Sequence, residues 1–219
     1  NYFNKKRDVN NIYHVESIVD LVKNHKKGLF KFPKNIDIVT GGFPCQDFSV
    51  SGKRKGFKST KNHVGEISDN TPSTETRGML YMWMKEVIEI TKPKIFIAEN
   101  VKGLVNLGDV RDIIQKDFSK IGKDGYLVLP PEVLHSGNYG VPQTRQRVFF
   151  IGFKISSLTK ESFKELSSKH INKEFSPYPE ITHKINEKIL FDEREFLLKK
   201  KNILKDIFKD LKEPDQSLD

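Results

Sequence analysis

Three groups of side chains in this sequence have the types that polar bond-making chemistry needs. The first is built on the chain's one cysteine, set in Gly41-Gly42-Phe43-Pro44-Cys45-Gln46. A thiolate is a strong nucleophile, but a free thiol has a pKa near about 8.5, so a working cysteine needs surroundings that favour its anion. A lone cysteine is also a common core filler. Here two glycines, a proline and a glutamine make a tight turn with accessible backbone, which is not a packed core position. The second group is Glu99-Asn100, directly after the apolar run Lys94-Ile95-Phe96-Ile97-Ala98. An acid at a strand exit either caps a helix or faces a ligand. The third is Gln143-Thr144-Arg145-Gln146-Arg147. Residues two apart on an extended backbone share a face. Arginines here either sit in ordinary surface ion pairs with acids or, sharing a face, act together as a clamp on an anion or carbonyl.

The elements that must hold these groups alternate between strands and helices. Ile36 to Thr40 reads as a buried strand ended by Gly41-Gly42. Leu80, Trp83, Met84, Val87 and Ile90 recur at helical spacing, and Pro93 stops that helix. Lys94 to Ala98 is a second strand. Val110, Ile113, Ile114, Phe118 and Ile121 form another amphipathic stripe, ending near Gly122. Tyr126 to Leu129 and Val133-Leu134 are strand-like around Pro130-Pro131, and Arg147 to Ile151 is a further strand. The order implies an α/β fold with a mixed, mostly parallel sheet covered on both faces. In such sheets ligands bind beyond the carboxyl ends of the strands, where Cys45 and Glu99 fall. Gly56 to Glu75 is polar and reads as an exposed loop. After about Phe153 the composition shifts to Lys, Glu and Ser. The division expected is residues 1–155 and 156–219, the second part containing a helix from about Glu193 to Leu211. Lys199-Lys200-Lys201 reads as the solvated face of that helix.

The 219 residues suffice for one sizeable domain. Lys plus Arg is 38 against 29 for Asp plus Glu, a formal charge of +9. Such a surface favours polyanions, although a Lys-rich host proteome gives the same bias. No apolar run approaches the roughly 18 residues that span a bilayer, so no membrane is expected as a partner. The polar, basic start Asn1-Tyr2-Phe3-Asn4-Lys5-Lys6-Arg7 does not read as a signal peptide. A single cysteine excludes an intrachain disulfide and a multi-cysteine zinc site, and no metal is expected.

Taken in order, Phe43-Pro44-Cys45-Gln46, Glu99-Asn100-Val101 and Gln143-x-Arg145-x-Arg147 resemble the cytosine-C5 DNA methyltransferases of bacterial restriction–modification systems. Gly41 to Phe57 resembles that family's whole catalytic block. Thr76-Arg77-Gly78-Met79-Leu80-Tyr81 and Ser136-Gly137-Asn138-Tyr139-Gly140-Val141-Pro142 resemble two further blocks. Together they cover roughly residues 36 to 153, and several blocks in family order are a far stronger signal than Pro-Cys alone.

The resemblance implies a Rossmann-like methyltransferase fold that uses S-adenosylmethionine to methylate C5 of cytosine in duplex DNA. It implies that Cys45 adds to C6 of a flipped-out cytosine and makes C5 nucleophilic. Glu99 would hold a proton at N3, Arg147 with Arg145 would bind the O2 carbonyl, and Asn100 would position the loop carrying Cys45. Phe43, Pro44 and Leu80 would line the methionine side of the donor pocket, and Asp20-Leu21 is the candidate for the adenine contact. An ordinary helix acid is the alternative for Asp20. Gln46, Ser49, Ser51, Lys53, Arg54, Arg77 and Gln143 are the candidate DNA contacts, several of them suited to phosphates.

The family's Gly-rich strand–turn–helix for the donor is not found, and the sequence reads as incomplete at its start. Its end reads as the entry to a target-recognition region. A cognate restriction endonuclease, a bacterial cytoplasmic location near the nucleoid, and a monomer are expected, unless the enzyme is split between two chains. Three other readings compete. They are a non-catalytic DNA-binding relative, an RNA-methylating one, and a cysteine hydrolase using one of six histidines, of which His135 alone lies near a strand end.

Overall fold

The computed structural model describes residues 14–43, 81–106, 109–168 and 171–183. The first helix, α1 (Ile18–Lys26), starts where the Ser17 side chain accepts the Val19 amide at 3.3 Å. Capping of this kind supplies an acceptor to an otherwise unpaired N–H group. Lys23, His25 and Lys26 crowd its last turn, where cations complement the helix dipole. The helix α2 (Tyr81–Thr91) lies against α1. Lys26 pairs with Glu86 at 2.8 Å and Lys23 sits 5.9 Å from the Trp83 ring. These two contacts advance in step along both helices, so α1 and α2 run in the same direction.

The buried residues of α2 are Tyr81, Met84 and Ile88. Of the expected stripe Met84 is on this face, Trp83, Val87 and Ile90 are only half-buried, and Leu80 lies outside the described residues. The cause is that α2 is sandwiched: one face meets the sheet and core, another meets α1, so apolar residues ring most of it. The helix α3 (Val110–Ser119) buries Val110, Ile114 and Phe118, as its periodicity requires.

The sheet holds β1 (Ile38–Gly42), β2 (Ile95–Val101), β3 (Tyr126–Val128), β4 (Glu132–His135) and β5 (Gln146–Lys154). The order is β1-β2-β5-β3, with β4 also on β5. It is a mixed α/β sheet, as expected, but its balance differs from the expectation. Among the described residues only β1 and β2 are parallel; β5 is antiparallel to β2, β3 and β4. β1 is also less buried than a central strand, with Ile38 54% exposed, because its other edge has no partner strand among the described residues. It reaches two residues further than expected, through both glycines.

β3 and β4 run along the same edge of β5. Val128 faces Gly152 and Glu132 faces Phe149, which leaves one extra residue on the outer strand. That bulge is where Pro130-Pro131 falls, and proline, which has no N–H to give a ladder, is tolerated at such edges. Leu129 keeps the edge joined by donating to the Ile151 carbonyl at 2.9 Å.

Phe96, Phe118 and Phe150 are fully buried at the centre. Phe118 lies 5.0 Å from Phe96 and 6.3 Å from Phe150, and Phe96 lies 5.4 Å from Tyr126. Tyr81 extends the series towards Phe43, at 6.2 Å between ring centroids. The Tyr81 hydroxyl donates to Asp117 at 2.6 Å. Burial first, and then Asp117, push its pKa well above the ordinary tyrosine value, so it stays a donor. Burial pushes Tyr126 up to about 12, and its hydroxyl donates to the Pro93 carbonyl at 2.7 Å.

Candidate active site

β2 does not stop before Glu99-Asn100; it continues through both, to Val101. Successive side chains of a strand take opposite faces. Phe96, Ala98 and Asn100 are therefore buried together, and Glu99 goes to the other face with Ile97 and Val101. β5 enters at the same end. Val101 is opposite Arg147 and Glu99 is opposite Phe149. Arg147 thus shares the Glu99 face, and Arg145, two residues earlier, points the same way.

The result is a three-residue charge cluster. Arg147 Nε donates to Glu99 Oε1 at 2.8 Å, and Arg145 Nη2 lies 3.5 Å from the same oxygen. Arg147 Nη1 also donates to its neighbour's carbonyl, that of Gln146, at 2.8 Å. The side chains remain 25%, 32% and 50% exposed for Arg147, Glu99 and Arg145. Exposed pairs of this kind contribute little to stability, about 0–1 kcal/mol. Their arrangement suits charge offered to a ligand: one acceptor and two donor forks on an accessible rim.

Gly42 is the position of β1 opposite Glu99. A Cβ built there falls 3.2 Å from Glu99 Oε2. Glycine therefore leaves the carboxylate the space it occupies. Asn100 works on the other face. It is 2% exposed, its Nδ2 donates to the Phe43 carbonyl at 3.4 Å, and its Oδ1 accepts the Val101 amide at 2.8 Å. The amide therefore ties the end of β2 to the chain two residues before Cys45. Phe43 itself is buried against Tyr81.

Asp20 is exposed and Leu21 half-buried in the first turn of α1. Because α1 parallels α2, and Tyr81 at the start of α2 meets Phe43, that turn lies at the same end of the fold as Glu99, with α2 between. Among the described residues no bond joins Asp20 to the charge cluster. Gln143 is exposed, with its backbone held by Ser136 and Val141. Pro44, Cys45, Gln46, Ser49, Ser51, Lys53, Arg54, Arg77 and Leu80 lie outside the described residues, as do the Gly56–Glu75 loop and the Glu193–Leu211 helix. His135 has its Nδ1 engaged by the Gly137 amide at 3.0 Å. For a bound methyl donor the described residues offer only an apolar wall at Phe43 and an acid one helix away. They fit such a group as a fragment of its site. Clefts of about 500 and 640 Å³ lie at the other end of the sheet, around Lys92 and Lys154.

Residues not singled out from the sequence complete the frame. Ser136 Oγ donates to the Gln143 carbonyl at 2.6 Å and accepts the Arg145 amide at 3.2 Å. Ser136 also donates its own amide to the Arg145 carbonyl at 2.9 Å. Nothing in the periodicity marks a serine for this, although it heads the block before the arginines.

The family model described as C-5 cytosine-specific DNA methylase matches residues 7–218. The chain is 36% identical over 131 residues to the Type II methyltransferase M.HpaII of Haemophilus parainfluenzae, covering 57% of this chain and 30% of that protein. It is 39% identical over 130 residues to the Type II methyltransferase M.Sau96I of Staphylococcus aureus, covering 58% and 25%. The chain thus spans less than a third of the length of these relatives. Among solved structures, the Entamoeba histolytica methyltransferase EhMeth matches with a TM-score of 0.43 and 18% identity, covering 69% of this chain and 40% of that one.

Proposed function

The chain belongs to the C-5 cytosine-specific DNA methylase family, and on that premise we propose that it supplies the catalytic rim of a DNA (cytosine-5-)-methyltransferase. The substrate is a cytosine extruded from duplex DNA, since a base inside the stack cannot reach a strand-end turn. S-adenosylmethionine, when bound, supplies an electrophilic methyl group.

The observation that carries this reading is the Glu99–Arg147–Arg145 cluster, together with the tie from Asn100 to the backbone leading into Cys45. A cytosine offers the matching pattern. Its N3 and exocyclic amine face an acid, and its O2 faces a donor. Glu99 would hold a proton at N3 and accept from the amine. Arg147 and Arg145 would donate to O2 and offset charge as it develops on the ring. The Cys45 thiolate would then form a bond to C6, and the C5–C6 electron pair would become available at C5. When C5 has gained its methyl group, loss of the C5 proton to a base and expulsion of Cys45 restore the aromatic ring. Arg147 or Arg145 would also favour the Cys45 anion. A role beside a restriction endonuclease is part of the proposal.

The test uses the protein expressed from its full reading frame. Duplex DNA carrying 5-fluorocytosine blocks the final proton loss, so a covalent adduct mapped to Cys45 is expected. DNA binding without adduct or methyl transfer would instead support a non-catalytic relative. An adduct formed on RNA and not on DNA would move the substrate class.

A further inference from the structure

We infer that the segment Ser176–His183 is a strap that sets the position of the arginine turn, with Tyr178 and His183 as positioning residues for the reaction. The inference rests on the proposed role of Arg145 and Arg147.

The residues of β4 and β5 that bear on the rim are joined by the turn from Ser136 to Arg145. Its first part is a 3₁₀ turn, Ser136–Tyr139. A connection of this length on an edge is mobile unless something outside it holds it. The strap does so at several points. The amides of Thr182 and His183 both donate to the Asn138 carbonyl, at 2.9 and 3.0 Å. The Tyr139 hydroxyl donates to the Pro179 carbonyl at 3.4 Å. The Tyr178 hydroxyl is shared between the carbonyls of Pro130 and Phe149, at 3.1 and 3.3 Å. That one side chain spans the bulge beside β4 and the body of β5, two residues past Arg147.

His183 adds a steric lock. Gly140 has φ of 80°, a left-handed conformation that glycine takes at no cost. A Cβ there would fall 2.7 Å from His183 Cε1, so the imidazole occupies the face that glycine leaves open. The Thr182 hydroxyl lies 2.9 Å from His183 Nδ1, a hydrogen bond that helps hold the ring in place.

From the strap the linkage to the rim is continuous. Asn138, Tyr139 and Gly140 follow Ser136 directly. Ser136 exchanges hydrogen bonds with Arg145 through amide, carbonyl and hydroxyl. Arg145 and Arg147 meet on Glu99. Displacing the strap therefore moves the guanidiniums relative to the carboxylate.

The experiment uses the full-length protein and two single variants, Tyr178→Phe and His183→Ala. The first removes one hydroxyl and keeps the ring packed, so it tests positioning even if the second folds poorly. Steady-state methyl transfer on duplex DNA is measured beside thermal unfolding. The expected result is a kcat about 10-fold lower in each, because a shift of the order of an ångström at a positioned group costs up to about 100-fold. KM for DNA and for the methyl donor should stay within about twofold, since neither residue is placed against either ligand. Unchanged kcat in Tyr178→Phe, beside an active wild type, overturns the strap. A loss confined to KM for DNA, or fully matched by a loss of folded protein, overturns it too. A wild type that methylates nothing overturns the reading of the site itself, and Arg147→Lys retaining full activity does the same.

Discussion

Asn100 separates two jobs that a buried polar side chain can have, holding the fold and placing a reactive group. Its amide is 2% exposed and bonds both Phe43 and Val101. Asn100→Ala leaves the Phe43 carbonyl and the Val101 amide buried without this partner. Each orphaned group costs about 1 kcal/mol or more, the 3.4 Å bond counting for less than the 2.8 Å one, so the total is about 2 kcal/mol. That lowers the folded-to-unfolded ratio by about 30-fold, which denaturant titration resolves as a lower midpoint with unchanged slope. Asn100→Asp loses stability by another route. It keeps the acceptor for Val101 but sets an oxygen against the Phe43 carbonyl and buries a charge. The two variants share only the loss of the donor to Phe43. If that bond places the turn carrying Cys45, both should slow single-turnover methyl transfer by a similar factor, about 10- to 100-fold, at temperatures where both are folded. Near-normal turnover in either variant would refute the positioning role. So would a loss no larger than the loss of folded protein.

Arg147→Lys keeps the charge but not the Nε contact to Glu99, so kcat should fall more than in Arg145→Lys, whose contact is 3.5 Å against 2.8 Å; a loss of about 100-fold is the scale for one removed charge-stabilising donor. Gly152→Ala drives a Cβ into the Phe96 ring in the middle of the sheet. It should destabilise the protein by about 3 kcal/mol, read by thermal unfolding, unless Phe96 is cut to a smaller residue in the same chain. Desolvation raises the pKa of Glu132 above its ordinary value. A carboxyl raised on folding contributes its stability below the unfolded pKa and loses it as pH rises through the folded one. Glu132→Gln should therefore unfold at a slightly higher temperature than wild type near neutral pH, with the gap closing under acid conditions.

Much of the core was legible because apolar spacing is dictated by the helix itself. The Val110, Ile114 and Phe118 stripe falls on the buried face of α3 as expected. The stripe of α2 was only partly legible, catching Met84 but not Tyr81 or Ile88, because a helix packed on two sides carries two apolar faces, and spacing alone does not say which one meets the sheet. Strand ends were less legible for a related reason. Glu99 and Asn100 break the apolar run, yet one edge of the rim is open and the other is the core, so a charged and a buried polar residue both fit within β2. The pairing of Arg145 with Arg147 on one face followed from the period of two. Their common partner Glu99 did not follow, since register across strands depends on how the sheet is ordered. The strap was invisible in the sequence because its bonds are mostly to carbonyls, which every residue has.

The direction of β5 decides whether a site exists at all. Arg145 and Arg147 lie at the beginning of that strand, and Glu99 lies near the end of β2. In the mostly parallel sheet that the order of elements suggests, strand beginnings and strand ends occupy opposite rims. The seven residues of β2 would then separate guanidinium from carboxylate by about 20 Å. Because β5 runs against β2, its first residues come level with the last residues of β2, and Val101 faces Arg147. The reversal also explains the turn from Ser136 to Arg145. A neighbouring antiparallel strand needs only a short connection, so β4 delivers its chain to the same rim and the turn there can be gripped from outside. Any rearrangement that slipped β5 by one residue along β2 would flip both arginines to the buried face beside Asn100. Charge in that core would cost far more than the rim cluster returns, so the register that buries Val148, Phe150 and Gly152 is the same one that exposes Arg145 and Arg147 to a ligand.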